Sequence, residues 1–146
     1  RFGRISYRYH YMSQICSTIW RFTQANTTLF AMLPQWIIEK KRDGENLSDE
    51  EILERYLYSM INTGAHVLEE KLALRSGDID VIWHYGYGFP RYQGGPMFYA
   101  DLIGLDKIYD KISKYYDEYG DWLKPSKLLK SLADDGKGFG DYTNGL

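Results

Sequence analysis

Between residues 48 and 135 apolar positions recur every three or four residues, and the runs are broken by Gly, Pro and capping residues, which predicts a succession of helices. Ser48-Asp49-Glu50-Glu51 reads as a capping box: the hydroxyl accepts from a free N–H of the first turn while Glu51 reaches back to the cap. From there Leu53, Leu57, Met60, Ile61, Ala65, Leu68 and Leu72 form one stripe, with Glu54, Arg55, Glu69 and Glu70 on the other face, a solvated one. This first helix is expected to end near Arg75. Asp78 is placed to cap a second, whose Ile79, Ile82 and Trp83 lie on one side and which Gly86 and Gly88 stop. Pro96 opens a third that ends at Gly104; Leu105, Ile108, Ile112, Tyr115 and Tyr119 trace a fourth up to Gly120; Pro125 starts a fifth, with Leu128, Leu129 and Leu132 inside and Gly136 beyond its end.

Ahead of this region the pattern is ambiguous. Ile5, Tyr7, Tyr9 and Tyr11 alternate with polar residues as in a strand, whereas Ile15, Ile19 and Phe22 fall at helical spacing. The expected organisation is a divergent segment or linker over 1–34, a helical domain over 35–140 and a mobile tail over 141–146.

Composition narrows the function classes. The net charge of −2 gives no general attraction to nucleic acid or anionic lipid. It hides an asymmetry, because Arg1, Arg4, Arg8 and Arg21 stand before Pro34 with no acid among them, leaving −6 for the rest. Such an Arg-rich, acid-free stretch has the composition of a mitochondrial transit peptide, which is also common by chance. Asn26-Thr27-Thr28 matches a glycosylation sequon with no secretory signal beside it. No apolar run approaches the roughly 20 residues of a bilayer span. Lone Cys16 forms no internal disulfide, and a chain that starts at Arg1 without an initiator Met reads as a piece of a longer one.

Candidate chemistry is sparse. Val81 to Gly88 superficially resembles the strand and Gly-rich turn of a dinucleotide site, but the third glycine position holds Arg91, and Pro90 obstructs the helix that must follow. His10, His66 and His84 have no metal-ligand spacing, no Ser or Cys sits in a nucleophile motif, and Lys40-Lys41-Arg42 is compensated by Asp43 and Glu45. No catalytic, cofactor-binding or metal-binding residue is therefore assigned. The segment Tyr85–Tyr99 is too dense in aromatics and glycines for a linker and reads as a shaped loop that holds aromatics against a neighbouring surface. Its structural or interface residues are Tyr85, Gly86, Tyr87, Gly88, Pro90, Gly94, Gly95, Pro96 and, just beyond it, Asp101.

Glu50-Glu51-Ile52-Leu53-Glu54-Arg55-Tyr56-Leu57-Tyr58, Asp78-Ile79-Asp80-Val81, Tyr85-Gly86-Tyr87-Gly88-Phe89-Pro90 and Gly94-Gly95-Pro96-Met97-Phe98-Tyr99-Ala100-Asp101 occur in that order. Together they resemble the C-terminal helical domain of the 3-hydroxyacyl-CoA dehydrogenase family as found in fatty-acid β-oxidation multifunctional enzymes. The resemblance covers roughly residues 47–140. It implies an all-α fold of about five helices, like the C-terminal domains of 6-phosphogluconate and 3-hydroxyacyl-CoA dehydrogenases, with a Gly/Pro/aromatic loop at 85–96. It also implies a parent with an enoyl-CoA hydratase domain, an NAD-binding Rossmann domain and two related helical domains, of which this is the second.

The family's catalytic residues lie upstream, so this part is expected to be inactive alone, bracing the dehydrogenase half through its preceding helical and Rossmann domains; NAD and acyl-CoA would belong to the parent. Glu54-Arg55 stands where the first helical copy carries an active-site Asn-Arg pair. Lys71 stands where the family usually has Gly, which puts close helix packing there in doubt. The alternatives are a free-standing helical dimerisation or interaction module and a small enzyme with an unrecognised site. The resemblance leaves the compartment open: cytoplasmic if bacterial, peroxisomal or mitochondrial if eukaryotic, and Asn144-Gly145-Leu146 is not the Ser-Lys-Leu peroxisomal ending.

Overall fold

The computed structural model describes residues 48–119 and 123–144; the readings of 1–47, including the strand-like alternation and the boundary near residue 34, lie outside the described residues. Five α-helices occur among them: α1 (Asp49–Glu69), α2 (Ser76–Gly86), α3 (Pro96–Ile103), α4 (Leu105–Tyr119) and α5 (Lys127–Asp134). Short 3-10 turns cover Arg91–Gln93 and Phe139–Asp141. The all-α expectation holds, and the third and fourth helices fall where Pro96 and the Leu105 stripe place them.

The core joins the predicted stripes of four helices, with Ile61, Ala65 and Leu68 of α1, Ile79 and Ile82 of α2, Ile108 and Ile112 of α4, and Leu129 and Leu132 of α5 all buried, to Met97 and Ala100 of α3, for which no stripe was predicted. Gly64 on α1 lets Met97 come so close that a Cβ at residue 64 would overlap its sulfur, so α3 lies tightly across α1.

Several boundaries differ from the local reading. Ser48 does cap α1, its hydroxyl accepting from the Glu51 N–H at 3.1 Å, but Glu51 turns to the Arg55 guanidinium at 2.9 Å rather than back to the cap. The buried Arg55 also lies 4.2 Å over the Tyr115 ring, so it is not on a solvated face.

α1 stops at Glu69 instead of near Arg75. Lys71 has φ 58°, and the Lys71 and Leu72 N–H groups donate back to the carbonyls of Leu68 and Val67, the Schellman ending. A glycine at this position would meet the left-handed backbone of the helix end without strain, and the doubt about helix packing at Lys71 is replaced by a local conformational cost.

At α2, Arg75 is the N-cap and Asp78 lies one turn inside, 3.4 Å from the Arg75 guanidinium. At α5 the cap is Ser126 and not Pro125: its hydroxyl accepts from the N–H groups of Leu128 and Leu129.

The C-terminal segment is tied to the helices through residue 144, the last one described. Phe139 is fully buried, Asp101 accepts from the N–H groups of Phe139 at 2.6 Å and Gly140 at 2.9 Å, and the Asn144 amide donates to the carbonyls of Leu68 and Ala73. A polar composition concealed one aromatic anchor and two side chains that satisfy backbone groups.

Candidate docking surface and the groove beside α1

The loop residues singled out in the sequence separate into two groups. Gly94 and Gly95 have φ 74° and 98°, a region that favours glycine, and Pro96 is buried at the first position of α3. Gly95 occupies the N-cap without a side chain, and the Asp80 carboxylate of α2 takes over that role, accepting from the N–H groups of Met97 at 2.8 Å and Phe98 at 3.1 Å. Any Cβ at Gly95 would overlap that carboxylate. Burial pushes the Asp80 carboxyl up to about 6 even though both N–H groups and His84 favour its charged form. These residues, with Asp101 holding the C-terminal segment, build the domain itself.

The second group faces outward. Tyr85 is 75% exposed with the Arg91 guanidinium 5.0 Å over its ring, and Tyr87 lies against Trp83 at 4.6 Å while remaining 40% exposed. Gly86 ends α2 and Gly88, at φ 72°, turns the chain toward Pro90; His84 Nδ1 lies 3.0 Å from the Phe89 carbonyl and steadies that turn. Phe98 and Leu102 of α3, outside the residues the sequence singled out, are 51% and 69% exposed. Their i, i+4 spacing was visible, but with α3 only eight residues long its inner and outer sides were not separable by periodicity.

A groove of about 1010 Å³ opens between α1, the end of α3 and α4, with Leu57, Tyr58, Tyr99 and Ile103 among its lining residues. At its centre Glu54 accepts from Tyr58 Oη at 3.3 Å, Tyr115 Oη at 3.1 Å and Lys111 Nζ at 3.0 Å. Burial alone would raise the Glu54 carboxyl, but Lys111 and the two phenols outweigh it and hold it below the usual carboxylate range. Burial and Glu54 push the Tyr58 phenol up to about 12 and raise that of Tyr115, so both phenols stay protonated as donors.

Glu69, expected on the solvated face with Glu70, instead reaches α5, where it accepts from Ser126 Oγ at 2.8 Å and the Lys127 N–H at 2.9 Å. Glu70 is exposed. Asn62 clamps the same corner, donating to the Lys124 carbonyl and accepting from the Ser126 N–H.

Neither the Gly86-Tyr87-Gly88 step nor the N-termini of α3 and α5 suit a dinucleotide. Gly86-Tyr87-Gly88 lies at the carbonyl end of α2, where the helix dipole repels a pyrophosphate, and the N-termini of α3 and α5 already hold the carboxylates of Asp80 and Glu69. Among the described residues no group of three His, Cys, Asp or Glu is placed to hold a metal ion, and no helix is long and apolar enough to cross a membrane.

Five helices wrapped on a single apolar core, with one glycine-proline entry capped from a neighbouring helix, define an all-α domain. Residues 52–142 match the model of the 3-hydroxyacyl-CoA dehydrogenase C-terminal domain, and the chain belongs to that family. It is 48% identical over 92 residues to the peroxisomal bifunctional enzyme of Homo sapiens, covering 62% of this chain and 13% of that one. The corresponding enzyme of Pongo abelii is 42% identical over 118 residues, 80% of this chain and 16% of the relative. A peroxisomal fatty acid beta-oxidation multifunctional protein of Oryza sativa subsp. japonica is 40% identical over 87 residues, covering 60% and 12%. The chain thus spans less than a fifth of the length of these relatives.

Proposed function

We propose that this chain is the non-catalytic C-terminal part of a peroxisomal fatty-acid β-oxidation multifunctional enzyme, bracing the NAD-dependent 3-hydroxyacyl-CoA dehydrogenase half of that enzyme. The observation that carries the reading is the match of residues 52–142 to the C-terminal domain of that dehydrogenase family, shared with relatives of which it forms a small share. The internal use of its polar groups supports it. Glu54 is taken up by Lys111 and two phenols, and Asp80 and Glu69 cap neighbouring helices, so these carboxylates serve the fold rather than a reacting molecule.

NAD, when bound in the parent, would accept hydride from a 3-hydroxyacyl-CoA. What the domain supplies is a rigid body, because helix ends fastened by side chains of other helices lose little order when one face is loaded.

The test compares the full polypeptide that carries this chain with the chain alone. The full polypeptide is expected to reduce NAD with a 3-hydroxyacyl-CoA, whereas the chain alone neither reduces nor binds NAD in calorimetry. Saturable NAD binding by the chain, or a full polypeptide without dehydrogenase activity, would overturn the proposal.

A further inference from the structure

Three side chains tie backbone to backbone in series. Asp80 of α2 accepts from the first N–H groups of α3, those of Met97 and Phe98. Asp101, on α3 itself, accepts from the N–H groups of Phe139 and Gly140. Asn144 then donates to the carbonyls of Leu68 and Ala73, and its own N–H donates to that of Leu74, so the series returns to the connection between α1 and α2.

The middle member is weak by itself. α3 has eight residues, fewer than the roughly 12–15 that an isolated helix needs, and it buries only Pro96, Met97 and Ala100. Its order therefore depends on what grips it from outside. Asp80 grips the start, where Gly95 offers no side chain of its own as a cap. Near the other end Asp101 is gripped by the C-terminal segment, and the fit is close: a Cβ at Gly138 would come within 2.9 Å of the Asp101 carboxylate, and one at Gly140 within 3.3 Å. Phe139, between these two glycines, is fully buried.

We infer that residues 138–144 are a latch on α3, so that the C-terminal segment, α3 and the loop 87–95 leading into it open together as one unit less stable than the rest of the domain. Segments that share their ties open cooperatively, since releasing one tie leaves the next without a fixed scaffold. Release of Asn144 at the α1–α2 connection thereby reaches the exposed Phe98 through Asp101, and the order of an outward aromatic is set by the C-terminal segment. The link is a property of the fold and holds whatever the parent enzyme acts on.

Hydrogen exchange of single amides, followed by NMR on the whole chain, provides the test. Gly138→Ala is the probe, because φ at Gly138 is an ordinary −95° and alanine adds only the methyl that meets Asp101, leaving α3 unchanged in sequence. Exchange at the Phe139 and Gly140 N–H groups should quicken about tenfold, as for one or two weakened hydrogen bonds, and exchange at Met97 and Phe98 should quicken by the same factor. In the natural chain the Ile61 N–H of α1 should exchange more slowly than all four, since it opens only with the whole domain.

Quickening confined to Phe139 and Gly140 overturns the inference, and so does the absence of quickening at all four. If Gly138→Ala does not fold, the natural chain answers alone. In urea below its unfolding transition the four amides should converge on one protection and one urea dependence, smaller than that of Ile61. A urea dependence at Phe139 and Gly140 that differs from that at Met97 and Phe98, or four amides that all follow Ile61, would show that no such unit exists.

Discussion

The Asp80 carboxylate occupies the space that a side chain at Gly95 would need, and from there it receives the first N–H groups of α3. One residue supplies the cap and the other supplies its absence, on two different helices. Gly95→Val should therefore cost more than an ordinary strained backbone. We expect about 3 kcal/mol or more, combining a left-handed φ for a β-branched residue with a displaced carboxylate and unpaired N–H groups. Urea unfolding of the variant reads it directly, and a loss below 1 kcal/mol on the order of a surface change would refute the steric pairing.

The same carboxyl makes a pH prediction. Its folded value of about 6 lies above the ordinary 3.8, so its contribution to stability is fully present below 3.8 and is lost as pH rises through about 6. Asp80→Asn removes the titration. The stability of the natural chain relative to this variant should fall between about pH 4 and pH 6 and be level above that range. A difference that grows with pH would show that the helix N-terminus, and not burial, controls Asp80.

Lys71 offers a stabilising change. It is the one non-glycine residue with positive φ among those described, at a helix end where glycine is favoured. Lys71→Gly should raise stability by about 1 kcal/mol, the left-handed cost relieved less the added freedom of the unfolded chain. A lower melting temperature in calorimetry would contradict this.

The C-terminal segment should matter despite its polar sequence. Asn144→Ala leaves the Leu68 and Ala73 carbonyls without their side-chain donor, and a loss of about 1–3 kcal/mol is expected. Hydrogen exchange should quicken at the Asn144 N–H, which donates to the Leu74 carbonyl. Unchanged exchange there would mean that Phe139 and Asp101 hold the segment without the Asn144 side chain.

The positions and type of the helices were legible in the sequence because the responsible forces act within about four residues: the apolar period, Ser48 as a cap, Pro96 at a first turn, and Gly104 and Gly136 as stops. The internal roles of Gly95 and Pro96 were legible in part, since a Gly-Pro step before a helix limits what the backbone can do. What closes the domain was not. Asp80 meets Met97 across 17 residues, Glu69 meets Ser126 across 57, and Asn144 meets Leu68 across 76. A carboxylate or amide has the same identity whether it faces water or the end of another helix, so composition alone reads it as surface. Only packing of the helices decides which polar side chains complete another element's backbone, and the same packing decides which aromatics are left outward. The sequence thus determined the elements and the family, while the tertiary structure decided the ties between them, because those ties depend on distances in space that no local pattern encodes.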